Sequence, residues 1–216
     1  MAKGFFITFE GPEGCGKSTH AKQLEKYLKS LGKRVVLSQE PGGTKAGTQI
    51  RKILLGMDEP LSTNCELLLF AADRAQHVSE VIKPALEAGS IVICDRFVDS
   101  TIAYQIGGRK LPEELVRYLN ALSSEGLRPD LTFLLDVPPA VGLPRSLASA
   151  AAEKGGARKV DRFEKEKLTF HNDVRAVYLK IASDEPGRVV VIDTEKQPIE
   201  AVQEQIKKTV KEKISI

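Results

Sequence analysis

Eight residues, Gly11-Pro12-Glu13-Gly14-Cys15-Gly16-Lys17-Ser18, followed by Thr19, have the spacing G-x-x-x-x-G-K-[ST] of a phosphate cradle. Glycines let backbone N–H groups turn inward around an anion, and a helix opening behind the loop adds the positive end of its dipole. In such a loop Lys17 reaches the β and γ oxygens of ATP, and the Ser18 hydroxyl ligates Mg²⁺. The metal also needs a carboxylate at the end of a neighbouring strand. Asp95, directly after the apolar run 91–94, is the first choice; Asp136, near the end of the next such run, is its competitor. Arginines stand in or near loops at Arg51, Arg74, Arg96, Arg145, Arg158 and Arg162. Guanidinium forks match phosphate oxygens and keep their charge, so the set suits a reaction in which phosphate is both donor and acceptor. A phosphate monoester, with a second pKa of ~6, attacks without a general base. Accordingly His20, His77 and His171 form no catalytic constellation and are expected to be structural or exposed.

Strands and helices must alternate to place these residues. Run 5–9 is a short strand ending at the glycine loop; Ala21, Leu24, Leu28 and Leu31 then recur at helical spacing until Gly32 caps the helix. Val35-Val36-Leu37 reads as a second strand. Thr63 with Glu66 makes a capping box that opens a helix towards Val78, and Pro84 and Gly89 punctuate the next turn. Runs 91–94, 131–137 and 189–192 lack polar alternation, as strands buried on both faces do. Helices are expected from about Pro112, Pro139, Asp161 and Ile199. The order implies one α/β domain over 1–216, a five-stranded parallel sheet of P-loop NTPase type with helices on both faces. The small-residue stretch 148–156 reads as the centre of a mobile lid over about 145–160.

Composition narrows the class. The chain has 216 residues, 42% of them hydrophobic and 28% charged, which suits a soluble globular domain. No apolar run reaches the ~20 residues that cross a bilayer, and no signal segment leads the chain, so the expected compartment is the cytoplasm, with no membrane partner. Cys15, Cys65 and Cys94 lack metal or disulfide spacing and read as free thiols. The net charge of +3 is too small and too dispersed for a nucleic-acid partner. No Asn-Lys-x-Asp guanine reader occurs.

Four segments in order make the chain resemble the thymidylate kinase family over nearly its whole length. They are the cradle through Thr19; Glu40-Pro41-Gly42-Gly43-Thr44 with Ile50-Arg51; Leu69-Phe70-Ala71-Ala72-Asp73-Arg74; and Asp95-Arg96-Phe97-Val98-Asp99-Ser100-Thr101-Ile102-Ala103-Tyr104-Gln105. Asp161-Arg162-Phe163-Glu164 is a weaker fifth. The resemblance implies direct in-line transfer from ATP·Mg²⁺ to dTMP, giving dTDP for dTTP synthesis, in a homodimer. It gives Glu13 the 3′-hydroxyl of the substrate sugar, Arg51 and Arg96 the acceptor phosphate, and Arg96 the transferred group as well. Phe70 would stack on thymine, Arg74 and Gln105 would bond its polar edge with help from Thr101, and Tyr104 would disfavour a ribose. On residue type alone Phe70 could equally be core and Gln105 a surface residue. Gln39 stands where many members carry Arg, and Gly14 where some carry a loop Arg. Lid cations, Arg158 first among Arg145, Lys154, Arg158, Lys159 and Arg162, would then supply the second catalytic charge beside Lys17.

Overall fold

The computed structural model describes residues 4–56, 59–152 and 160–214. Five strands, β1 (Phe5–Glu10), β2 (Val35–Gln39), β3 (Ile91–Asp95), β4 (Leu131–Asp136) and β5 (Val189–Asp193), pair in the order β2-β3-β1-β4-β5. Every pairing is parallel. Helices are α1 (Lys17–Ser30), α2 (Lys45–Gly56), α3 (Thr63–His77), α4 (Lys83–Glu87), α5 (Val98–Thr101), α6 (Glu113–Ser124), α7 (Pro139–Ala152), α8 (Leu168–Asp184) and α9 (Ile199–Ile214). Wider π-helical turns, Val78–Ile82 and Ile102–Gly108, carry α3 into α4 and extend α5.

Burial on both faces dictates this arrangement. Ile7, Phe9, Ile93 and Phe133 pack one face of the sheet against Leu24 and Leu28 of α1 and Val202 and Ile206 of α9. Phe6, Val92 and Cys94 point the other way, against Val78, Ile82 and Phe97; Leu134 and Val189 there meet Val174, Tyr178 and Ile181 of α8. The expected all-buried character holds for β3 and β4. It fails in β5, where edge position leaves Val191 47% exposed. The connection after β1 runs to β2 on one side of the neighbouring strands β3 and β1, and the connection after β3 runs to β4 on the other, so their carboxyl ends form a switch point, where α/β sheets bind ligands.

Several local expectations are corrected. The N-cap of α3 is Ser62, whose hydroxyl accepts from the Cys65 N–H at 3.3 Å; Glu66 is not a capping residue but is buried. Pro84 lies within the first turn of α4, where its missing N–H is tolerated, and not in the following loop. Leu31 is exposed as the cap of α1. The helix expected near Asp161 starts at Leu168. Asp161 instead closes a tight turn, its Oδ1 accepting the N–H groups of Phe163 (2.9 Å) and Glu164 (3.0 Å). Residues 148–152, assigned to the lid, complete α7; alanine and serine suit a helix end as well as a loop. Lys154, Arg158 and Lys159 lie outside the described residues.

Candidate active site

The cradle joins β1 to α1. Lys17 folds back across it, and its ammonium donates to the carbonyls of Gly11 (3.0 Å) and Pro12 (2.8 Å). Gly14 has a left-handed φ of 71° and touches α7 backbone to backbone: a Cβ there would stand 1.9 Å from the Gly142 carbonyl oxygen. The converse holds at Gly142, whose Cβ would lie 2.2 Å from the Glu13 carbonyl oxygen. The loop therefore has no room for the side chain that some relatives place at 14.

The two candidate metal carboxylates separate cleanly. The Ser18 hydroxyl hydrogen-bonds Asp95 Oδ2, so both oxygens face one point at the foot of the cradle. Asp136 is gripped at both oxygens by Arg175, at 2.7 Å each. Among the described residues no group of three or more His, Cys, Asp or Glu side chains could hold a metal. One hydroxyl and one carboxylate fit Mg²⁺, which keeps several waters and binds chiefly through substrate phosphates.

Arg96 is the hub of a hydrogen-bond network beside the cradle. It sits at φ 72° just past β3, its N–H donating to the Phe9 carbonyl at 2.9 Å. The guanidinium donates to Glu13 Oε1 (2.7 Å), the Tyr104 hydroxyl (3.2 Å), the Gly11 carbonyl (3.3 Å), Ser100 (3.2 Å) and Tyr178 (3.2 Å). Tyr104 also donates to Glu13 Oε1 at 2.6 Å, leaving Oε2 of that carboxylate uncommitted. Burial opposes ionisation of Glu13, but Arg96 and Lys17 outweigh it and hold its pKa down to about 2. Arg51 donates to the Pro41 carbonyl at 2.7 Å; burial foremost, and Arg96 as a like charge, lower its pKa.

A residue that sequence reasoning missed supports this turn. Glu10, fully buried, accepts from the Phe97 N–H (2.7 Å), Ser100 (2.5 Å) and Tyr178 (3.1 Å). Burial first, then the Asp99 charge, push its carboxyl up to about 7. A lone acid ending the apolar run Phe5-Phe6-Ile7-Thr8-Phe9 was the available signal, since buried acids are rare unless partnered.

The expected base contacts form two rungs between α3 and the helix running from Val98 to Gly108. In one, Arg74 Nη2 donates to Thr101 Oγ1 at 2.9 Å. In the other, Gln105 Nε2 donates to Glu66 Oε1 at 2.6 Å. Phe70 stands on α3 midway between them, half-buried, with its ring centroid 6.1 Å from that of Phe163. Arg74 also donates to Glu40 (2.9 Å), Asn120 (2.7 Å) and the Phe97 carbonyl (3.1 Å), so four of its five N–H groups are occupied. Gln105 Oε1 is buried with no partner. The histidines are all buried: His20 on Gln203, His77 between Ser38 and Glu40, and His171 against Phe170. None is exposed, and none faces the cradle oxygens as a base.

Neither described rival for the lid charge is free. Arg145 donates to the Thr194 and Glu195 carbonyls, at 3.0 and 2.7 Å. Arg162 is bound to the Leu54 carbonyl and, at 2.7 Å, to Glu66. Arg145 lines a cavity of about 330 Å³ with Gly14, Thr19, Thr194 and Gln197, on the α9 side of the cradle.

A phosphate cradle at the switch point of a parallel sheet, a serine–carboxylate pair at its foot and a half-buried arginine beside the loop define a P-loop phosphotransferase of the nucleoside monophosphate kinase class. A profile described as thymidylate kinase matches residues 9–206. A thymidylate kinase of Geotalea daltonii is 52% identical over 191 residues, 88% of this chain and 89% of that one. One of Maridesulfovibrio salexigens is 49% identical over 97% of this chain and 96% of its own. The crystal structure of thymidylate kinase from Ehrlichia chaffeensis superposes with a TM-score of 0.78 at 34% identity, covering 97% of this chain and 99% of that one. The chain belongs to the thymidylate kinase family, enzymes that use ATP to phosphorylate dTMP to dTDP.

Proposed function

We propose that this site performs its family's reaction with the following division of labour. Lys17 leaves the Gly11 and Pro12 carbonyls for the β and γ oxygens of ATP, and the cavity beside Arg145 receives the adenosine end. Bound Mg²⁺, held by Ser18 and Asp95, would neutralise charge on those oxygens. Arg51 and Arg96 hold the dTMP phosphate in line; no base is needed, because that phosphate is largely ionised at neutral pH. Glu13 keeps Arg96 oriented through Oε1 and offers Oε2 to the sugar 3′-hydroxyl, while Tyr104, pinned on Glu13, fills the space beside the 2′ carbon.

The single observation that carries the choice of base is the unpartnered Gln105 Oε1, whose amide is held by Glu66 on the same α3 stripe as Arg74 and its one spare N–H. A buried acceptor and a donor flanking Phe70 complement N3–H and O4 of thymine. Cytosine reverses both groups. Each unpaired buried polar group costs roughly 1–3 kcal/mol, so dTMP is expected to exceed dCMP at least tenfold in kcat/KM. ADP release measured across the nucleoside monophosphates tests this; equal values for dTMP and dCMP would refute it.

No helix among the described residues is long and apolar enough to cross a membrane, which suits work on dissolved nucleotides in the cytoplasm. Exposed Leu68 of α3 and Leu115, Tyr118 and Leu122 of α6 offer an apolar face on which two copies would pair. Sedimentation of the purified protein tests that assembly: a monomer at micromolar concentration excludes it.

A further inference from the structure

We infer that Glu66 sets the base selectivity of this enzyme by fixing which end of the Gln105 amide is left for the nucleotide. The inference rests on the base-pocket reading above and goes one residue beyond it.

An amide end group is nearly symmetric in shape, so packing alone cannot distinguish its oxygen from its nitrogen. A carboxylate can: it accepts hydrogen bonds and donates none. Glu66 Oε1 accepts from Gln105 Nε2 at 2.6 Å, which turns the amide oxygen away, where it is buried and unpartnered. The carboxylate is itself held in place. Only 1% of its surface is exposed; Arg109 meets both of its oxygens, Nε donating to Oε1 at 3.1 Å and Nη2 pairing with Oε2 at 3.1 Å, and Arg162 pairs with Oε2 at 2.7 Å. Each arginine is itself fixed. Arg109 is paired with Glu166 and lies over the Phe163 and Phe170 rings, at 5.4 and 4.9 Å; Arg162 is tied to the Leu54 carbonyl.

Placement gives this group its purpose. Glu66, Phe70 and Arg74 follow one another at four-residue steps on α3, so they share one stripe of the helix. Phe70 is thus flanked by the group that orients an acceptor and by the group that supplies a donor. Glu66 makes no contact with the base in this arrangement; it is a positioning residue acting through Gln105. The selected ligand is a pyrimidine monophosphate with a donor at N3, and the rejected one has an acceptor there.

Glu66→Gln tests the idea while nearly preserving shape. The Nη2 groups of Arg109 and Arg162 both meet the Oε2 position, whereas of the two arginines only Arg109, through Nε, meets Oε1, so the oxygen of the new amide takes the Oε2 position and its NH2 is left facing Gln105. The Gln105 amide then reverses and presents its own NH2 to the pocket. Values of kcat/KM for dTMP and 5-methyl-dCMP would be measured for the wild type, Glu66→Gln, Gln105→Ala and the double variant. Glu66→Gln is expected to lower the dTMP preference at least tenfold, with the change mainly in KM, and to add nothing in the Gln105→Ala background. Glu66→Asp, still an acceptor only and still paired with the arginines, is expected to keep the preference within about threefold even where total activity falls. If Gln105→Ala leaves the preference unchanged, the base-pocket reading itself is wrong. If Gln105→Ala lowers it but Glu66→Gln does not, or if Glu66→Asp loses as much as Glu66→Gln, the role given to Glu66 is overturned.

Discussion

Gly14→Ala should cripple the enzyme although it adds a single methyl group to a loop that only presents backbone to phosphate. The new Cβ would lie 1.9 Å from the Gly142 carbonyl oxygen. Carbon–oxygen contacts close at about 3.3 Å, so the loop and α7 must part by more than an ångström. The residue must also hold φ 71°, which costs a non-glycine residue roughly 1–2 kcal/mol. Overpacking adds about 1–3 kcal/mol, so the melting temperature of a chain this size should fall by roughly 5–15 °C. The catalytic loss should be larger than the stability loss suggests. Glu13 and Cys15 flank the displaced residue, Lys17 is anchored on the carbonyls of Gly11 and Pro12, and misplacing reacting groups by about 1 Å costs some 10²-fold in rate. A coupled ADP-release assay and a melting curve on the same preparation measure both effects. Gly32→Ala is the control, because it carries the same left-handed strain at φ 73° with no atom within 4 Å of the new Cβ; it should cost about 1 kcal/mol and leave turnover intact. Gly14→Arg should fail in the same way as Gly14→Ala, even though it brings a positive charge to the phosphates. Wild-type turnover with an unchanged melting temperature in Gly14→Ala would refute the reasoning, since the contact would then be one the fold relieves at no cost.

Three further outcomes are expected. Lys17→Ala should lower kcat by at least 10² while the protein still melts cooperatively, because the lysine supplies charge to the phosphates and its bonds in this structure are only to atoms of the loop itself; single-turnover rates check it. Asp95→Asn should lower turnover at least tenfold and raise the Mg²⁺ concentration needed, whereas Asp136→Asn, which loosens only the partly exposed Arg175 pair, should leave kcat within about twofold; a magnesium titration separates the two. Glu10, raised from 4.5 to about 7, contributes its stability as a neutral carboxyl, fully present below pH 4.5 and lost as pH rises through 7. Glu10→Gln should therefore gain on the wild type between pH 5 and pH 8 by up to about 3 kcal/mol in urea unfolding, and a difference independent of pH would contradict the assignment.

The architecture was legible because its signals are local. An apolar run, a glycine loop and a helical repeat follow one another at the cradle, and strand runs without polar alternation forced a sheet covered on both faces. Where local signals were ambiguous, tertiary partners decided. Thr63 and Glu66 have the spacing of a capping box, yet Ser62 caps the helix because the Glu66 carboxylate is drawn inward by two arginines that lie 43 and 96 residues further along the chain. The carboxylate beside Ser18 was legible as a choice between Asp95 and Asp136; the Ser18–Asp95 hydrogen bond and the bidentate grip of Arg175 on Asp136 favour Asp95. Arg74 and Gln105 were legible as residue types but not as a donor and an acceptor. A glutamine is both until something fixes it. What fixes it here is Glu66 on a different helix, four residues before Phe70 and eight before Arg74, a spacing visible in the sequence but equally that of a capping box. In the proposal made above, the chemistry of selection depends on a carboxylate that need not touch the nucleotide, and such a residue becomes visible only when the atoms it leaves unpaired are followed from one side chain to the next.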